Sequence, residues 1–322
     1  MADTTRSLAA LLALYADNTA NDISAQDGRD FLVSAYKPQC VIPGGRLTLA
    51  TGVSVTTTDV TGATNLYYTP HIHNCIGLYD GTSWTLHTFT QRSLAFGTLT
   101  DAKNYDVFLY DNSGTLTLEL TAWTNDTTRA TDLVLQDGVW CKTGALTRRY
   151  LGTIRTTSAT TTEDSLKNRF VWNAYNRTTR PLLFKESTES WNYNSTTLRP
   201  VRGDTTAATR AWVQVVVGLP GASAVSLRSV YYVSVGTARS AVNAIAEDST
   251  TTPDPANVVQ SYATAVSSAV SSHAHGGITK LPAVGYHYYQ LLEGCTTASS
   301  ITFYGYTAAP LLQSGITGWV EG

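Results

Sequence analysis

Apolar and polar residues alternate with period two along most of this chain, the spacing that puts one face of a strand in a core and the other in water. Leu47-Thr48-Leu49-Ala50-Thr51 and Val53-Ser54-Val55-Thr56-Thr57 both follow it, which predicts two strands. Cys75–Tyr79, Trp84–Phe89, Tyr105–Tyr110 and Leu116–Leu120 add four more. Between them fall Asp80-Gly81, Asn112-Ser113-Gly114 and Asp137-Gly138. Asp-Gly and Ser-Gly supply the positive φ that a two-residue hairpin needs, so these are predicted turns. A polar stretch, Thr156–Thr162, reads as a connection, and Glu163–Arg169 as one helical turn.

A second set of strands is predicted at Phe170–Asn173, Pro181–Lys185, Trp191–Tyr193, Trp212–Val217, Val230–Val235, Tyr286–Glu293 and Ile301–Tyr306. Residues 212–217 are nearly continuous in apolar side chains, which suits a strand buried on both faces. The 249–280 stretch carries Pro253, Pro255 and many Ser and Ala. It is expected to be a long excursion, either with a short helix near 257–270 or as an exposed loop. The helical spacing i, i+3, i+4, i+7 occurs at Leu8, Leu11, Leu12 and Tyr15. A second helix fits 24–34, with Ser24 as N-cap and Asp27 at the capping-box position, followed by Phe31, Leu32 and Val33. The expected organisation is all-β: a helical arm over 1–39, a first β-sandwich over 40–157, and a second over 158–322. The second is antiparallel and jelly-roll-like, and it carries the 249–280 excursion.

Composition agrees with the pattern. Of 322 residues, 51 are Thr and 18 are Tyr, both β-formers with a polar handle, while only 14% are charged. The apolar share of 43% is enough for packed cores. A net charge of −2 implies no basic surface for nucleic acid. No apolar run approaches 18 residues, so no membrane span is expected. The first 14 residues resemble a signal peptide but run into Tyr15-Ala16-Asp17-Asn18 without a small-residue cleavage site, so synthesis and assembly in a cytoplasm are expected. Sixteen of the 22 basic residues are Arg, which suits interfaces and also suits a biased genome. Cys40, Cys75, Cys141 and Cys295 form no C-x-x-C pair. Buried free thiols are expected, with a bridge formed later as the alternative.

Candidate chemistry is sparse. The chain has no Gly-x-Ser-x-Gly, phosphate loop or His-Glu-x-x-His, and no enzymatic activity is expected. Carboxylate pairs occur at Glu163/Asp164, Glu186/Glu189 and Glu247/Asp248, but spacing along the chain does not fix their separation in space. His71-Ile72-His73 and His273-Ala274-His275 could each present two imidazoles on one strand face to a metal ion, or be ordinary polar residues. Of these, His273 and His275 are the stronger candidates, because Gly276-Gly277 permits a close backbone approach. Tyr232, Tyr286, Tyr288 and Trp191 are candidates for stacking on a glycan or for an interface between subunits.

Asp80-Gly81-Thr82-Ser83-Trp84, Tyr110-Asp111-Asn112-Ser113-Gly114, the run from Arg149 to Thr157, Arg169–Arg177, and the ending Thr302–Tyr306 with Gly315–Trp319 together resemble virion proteins of tailed bacteriophages. The arm at 7–36 is similar to the N-terminal segment of many phage surface proteins and fibres. The resemblance implies a structural component of the virion, displayed on head or tail and often trimeric. Such a protein is made in a bacterial host's cytoplasm and has capsid, portal or tail proteins as partners. It further implies that Leu8, Leu11, Leu12, Phe31 and Leu32 anchor the arm. An H-x-H pair on a threefold axis would then hold iron, as in some trimeric fibres; otherwise no cofactor is expected. Small β-domains also favour closed symmetry because it hides strand edges. The alternative is a tail-fibre or receptor-binding module that recognises host surface glycan, and a third reading is a depolymerase.

Overall fold

The computed structural model describes residues 24–36, 42–235, 240–256, 258–261, 270–296, 300–306 and 313–322. The chain is all-β, with one described α-helix, Ala25–Tyr36. That helix begins as its sequence predicts. The Ser24 backbone N–H donates to Asp27 Oδ2 at 2.9 Å, and the Asp27 N–H donates back to Ser24 Oγ at 3.2 Å, which closes a reciprocal capping box. Leu8, Leu11 and Leu12 lie outside the described residues.

Two hydrophobic cores organise the strands. The first gathers Leu47, Leu66, Tyr68, Ile76, Val107, Leu109, Leu151 and Ile154. Around it run a three-stranded sheet (Gly45–Thr48, Asn65–Pro70, Arg92–Ala95) and a hairpin (Cys75–Tyr79 with Trp84–Thr88). A six-stranded sheet completes this half, in the order Thr115–Ala122, Asn104–Asn112, Ala145–Arg155, Val139–Lys142 and Leu133–Gln136, with Val171–Asn173 also on Ala145–Arg155.

The second core lies between two seven-stranded sheets and is a β-sandwich. One sheet sends in Val213, Val215, Val217, Tyr289 and Leu291; the other sends in Leu227, Tyr231, Val233, Phe303 and Ile316. The first sheet runs Arg199–Pro200, Gly285–Cys295, Trp212–Val217, Asn168–Arg169, Thr162–Asp164 and Val60–Ala63, and Ala241–Glu247 also pairs with Gly285–Cys295. The second runs Thr179–Lys185, Gly315–Glu321, Val225–Val235, Val270–Lys280 and Val258–Ser261. Ile301–Tyr304 joins Val225–Val235 beside them, and Ser190–Tyr193 pairs with Ile301–Tyr304.

Strands cross residue 157 in both directions. Val60–Ala63 extends a sheet of the later half through Thr162–Asp164, and Val171–Asn173 returns to the earlier one. A third cluster, Phe108, Tyr150, Trp172 and Val216, joins the two cores. Arg46 adds a polar tie by donating to the Gly322 carbonyl at 2.9 Å, 276 residues away in sequence. Its guanidinium, desolvated by burial and repelled by Arg180, is held down at about 10 despite Asp164.

Four local expectations are corrected. Residues 53–57 form no strand despite their alternation. Glu163–Arg169 is not helical: Thr162–Asp164 and Asn168–Arg169 are strands. Asp164 is drawn there by charge, bridging Arg169 at 3.0 Å and Arg180 at 2.7 Å. In the 249–280 stretch Val258–Ser261 and Val270–Lys280 are strands, the latter paired along its whole length with Val225–Val235, and the rest of the predicted helix near 257–270 lies outside the described residues. The packing there is close: a Cβ on Gly276 would come within 2.7 Å of Ser229 Oγ. Finally, Asp80-Gly81 is not a two-residue turn. Asp80 Oδ1 accepts the N–H groups of Thr82 and Ser83, both at 2.8 Å, and this Asx arrangement makes the loop four residues long. The other two turns are as expected, with positive φ at Ser113 and Gly114 and at Asp137 and Gly138.

Candidate functional site

Alternation along two paired strands builds a strip of large side chains on the outer face of the first sandwich sheet. Trp212 pairs with Gln290, Gln214 with Tyr288, and Val216 with Tyr286. These six share one face, while Val213, Val215, Val217 and Tyr289 turn into the core.

The two ends of the strip differ. At the Tyr286 end every polar group is matched. Arg155 lies 3.6 Å from the Tyr286 ring centroid and donates to Asp126 Oδ1 at 2.7 Å and Asn104 Oδ1 at 2.9 Å. The Tyr286 hydroxyl donates to Gln214 Oε1, and Gln214 donates to Asn168 Oδ1 at 2.5 Å. Burial, stronger than the pull of Arg155, raises the Tyr286 phenol so that it stays neutral.

At the Tyr288 end, Arg210 stacks on two rings, with Cζ 4.1 Å from the Trp212 centroid and 4.9 Å from Tyr288. Gln290 positions it. The Gln290 amide N–H groups donate to the Ala211 and Leu291 carbonyls at 3.0 and 2.8 Å, so its Oε1 is aimed at Arg210 Nε. Arg210 and Trp212 are only 9% and 8% exposed, yet among the described residues Arg210 Nη2 and the Trp212 indole N–H have no hydrogen-bond partner. Lys167 is close enough for Arg210 to oppose its charge. Burial, the larger effect, and Arg210 together lower its ammonium, outweighing Glu163 and Asp204.

Tyr286 and Tyr288 therefore share a site, but the other two aromatic candidates belong elsewhere. Trp191 stacks on Phe303 at 5.8 Å, meets Tyr231 edge-on at 5.6 Å, and donates its indole N–H to the buried Glu293. Tyr232 is half-buried in the other sheet, 5.4 Å from Tyr304. Phe31 is 46% exposed on the helix; Leu32 is helical, but its side chain is not described. His275 is exposed on Val270–Lys280, and the His273 side chain is not described. His71 and His73 are not in a strand; Ser54 Oγ lies 2.9 Å from His71 Nδ1, and the Cys75 N–H donates to His73 Nδ1. Among the described residues, no three His, Cys, Asp or Glu converge as for a metal ion. Cys141 is a buried free thiol, Cys75 is half-buried, Cys295 is buried, and Cys40 lies outside the described residues.

Five of the six flagged carboxylates, Glu163, Asp164, Glu186, Glu247 and Asp248, have side-chain partners, and Glu189 is exposed. Glu293, which carries no flag in sequence, accepts from Arg199 Nε at 2.8 Å and the Arg202 N–H at 3.0 Å, and its side chain is fully buried. Burial raises its carboxyl despite those partners. Glu186 is equally buried and pairs with Arg202 at 3.1 Å. Lys280 bridges Glu247 at 2.5 Å and Asp254 at 2.6 Å. His287 Nδ1 lies 2.7 Å from Asp248 Oδ2 and its Nε2 lies 2.9 Å from the Ala283 carbonyl. Both partners are acceptors, so the ring satisfies both only as an imidazolium. Burial pulls its pKa down, but Asp248, Glu247 and the carbonyl outweigh it and the net shift is upward.

Sequence inspection had marked Tyr286 and Tyr288 but not Arg210, Trp212 or Gln290. The available signal was a Trp and a Gln on the same alternating face of an otherwise aliphatic strand (Trp212, Gln214), with an Arg just before it.

No protein-family model and no curated protein matches the chain. Among solved structures it is similar to the insecticidal delta-endotoxin Cry8Ea1 of Bacillus thuringiensis, at 7% identity and a TM-score of 0.23 over 90% of this chain. It is also similar to a Cry1Da tryptic core variant of the same organism, at 9% identity and a TM-score of 0.20 over 89%. The chain spans 55% and 53% of those two proteins, about half of each. Among the described residues no helix is long and apolar enough to cross a membrane.

Proposed function

We propose that the chain is a structural protein of a tailed-bacteriophage particle, a projecting β-body on the head or tail that is anchored by its N-terminal segment. The observation that carries this reading is the capped helix Ala25–Tyr36, which stands ahead of the all-β body and exposes Phe31. An exposed aromatic on a short amphipathic helix is a ready contact for a larger assembly. The phage-like strings and the many half-wet Thr and Tyr strands support it, and trimeric association is the symmetry this reading favours. The chain acts by assembly and needs no catalytic step. Its partners are copies of itself and the capsid, portal or tail, and its place is the virion. The test is deletion of residues 1–36. The remaining body is expected to fold, with an unchanged β-type circular dichroism spectrum, and to be absent from purified particles. Normal incorporation overturns the anchor.

The half-buried Tyr286–Tyr288 strip, with Arg210 and Trp212 beside it, favours a second reading, recognition of host surface glycan. Adsorption of the purified protein to host cells, reduced by Tyr288→Ala, is the outcome it expects.

A further inference from the structure

The strip carries an uncompensated charge. Arg155 and Arg210 each stack on a tyrosine of Gly285–Cys295, but only Arg155 meets a carboxylate. Among the described residues no acidic side chain pairs with Arg210, which is more than nine-tenths buried. A guanidinium removed from water without a counter-charge is costly, and so is an indole N–H without an acceptor. The structure places both in one stack: Arg210 Nη2 and Trp212 Nε1 are orphaned donors on neighbouring side chains, with the guanidinium 4.1 Å from the Trp212 ring. The Gln290 carbonyl, held by its own two amide hydrogen bonds, occupies Nε and leaves the outer nitrogens of the fork unanswered by any anion. Two donors, one of them cationic, call for an acceptor with negative charge, and a carboxylate matches the guanidinium best.

The surroundings narrow the ligand further. Tyr288 is half-buried, 5.3 Å from Trp212 and 4.9 Å from the Arg210 guanidinium. The turn before Arg210 exposes Thr205, while the Thr206 and Thr209 hydroxyls bond Asp204. An aromatic face beside a carboxylate site suits the face of a sugar acid better than an acidic peptide.

We propose that this end of the strip is a binding subsite for a carboxylated pyranose. Arg210 and the Trp212 indole N–H take the carboxylate, the Tyr288 ring lies against the sugar face, and entry requires Tyr288 to turn aside. Arg155 and Tyr286 fix the far end and take no part. The subsite rests on the glycan-recognition reading above.

The test follows the Trp212 indole N–H resonance of the full-length protein, assigned by its disappearance in Trp212→Phe. Titration with D-glucuronate is expected to shift it, D-glucose is expected to leave it in place, and acetate is expected to bind about tenfold more weakly than glucuronate. Arg210→Gln is expected to abolish the glucuronate shift. Tyr288→Ala leaves the buried donors untouched and serves if Arg210→Gln does not fold; it is expected to weaken glucuronate about tenfold and acetate hardly at all. An unmoved resonance at saturating glucuronate, equal responses to glucuronate and glucose or to glucuronate and acetate, or full binding by Arg210→Gln each overturns the subsite. Host-cell adsorption that survives Arg210→Gln would leave the glycan reading standing and remove the subsite alone.

Discussion

Around the first core, Asn104–Asn112 turns at Ser113-Gly114 and pairs at once with Thr115–Ala122, and Leu133–Gln136 does the same with Val139–Lys142 through Asp137-Gly138. Around the second, Thr179–Lys185 is completed only by Gly315–Glu321, and Ser190–Tyr193 only by Ile301–Tyr304. The first region therefore takes its register from short turns. In the second, these two pairings join partners more than 100 residues distant, and Glu186 and Glu293 are buried there against arginines, as Asp106 is against Arg129 in the first. Charge adds in the sandwich to what turn geometry does in the hairpins: few arrangements give each buried carboxylate its donors.

This contrast can be broken most sharply at Glu293. Glu293→Ala would leave Arg199, the Arg202 N–H and the Trp191 indole without their acceptor, and a loss of about 3–5 kcal/mol is expected in denaturant unfolding. Glu119→Ala removes bridges from the half-exposed Lys142 and Arg148 near the first core, and a loss of about 1 kcal/mol or less is expected there. Equal losses would end the distinction. Trp172→Ala acts where the cores meet. A cost of about 3–5 kcal/mol is expected, with calorimetry resolving one transition into two as the cores uncouple; a single sharp transition would show that Trp172 does not couple them.

A turn substitution should cost less. Gly138→Ala has open space around it but must hold a φ of 81°, so a loss of about 1–2 kcal/mol is expected. A smaller loss, within a few tenths, would show that the hairpin does not depend on its turn.

The smallest effect should appear as a pH dependence. The pKa of His287 is raised in the folded state above its ordinary 6.5, so its contribution is complete below that value and is lost as pH rises through the folded pKa. Thermal midpoints of the protein and of His287→Gln are expected to differ most below pH 6.5 and to converge at higher pH. Parallel curves would mean that the ring does not carry a proton against Asp248.

Legibility followed the same contrast. The capping box at Ser24 and Asp27, the turns at 113–114 and 137–138, and the core strand 212–217 were readable because each is decided within a few residues. The alternation at 53–57 was equally clear, yet no strand forms there. Gly315–Glu321 and Ala241–Glu247, which became sheet members, carried no comparable mark. For the candidate site, Tyr286 and Tyr288 were visible as an aromatic cluster. Arg210 was not, because its stacking on Trp212 and Tyr288 is a property of its neighbours in space.

The sequence by itself determined an all-β chain, the cap of its helix, the positions of its tight hairpins and the alternation that sorts Val213 from Gln214. These depend on φ preferences and on the two-residue period of a strand, which act locally. Only the tertiary structure decided that strands on both sides of residue 157 share sheets, that Glu293 and Arg199 meet in the sandwich, and that Arg210 stands on Trp212. Those outcomes depend on which distant surfaces exclude water together, and no short stretch of sequence carries that information.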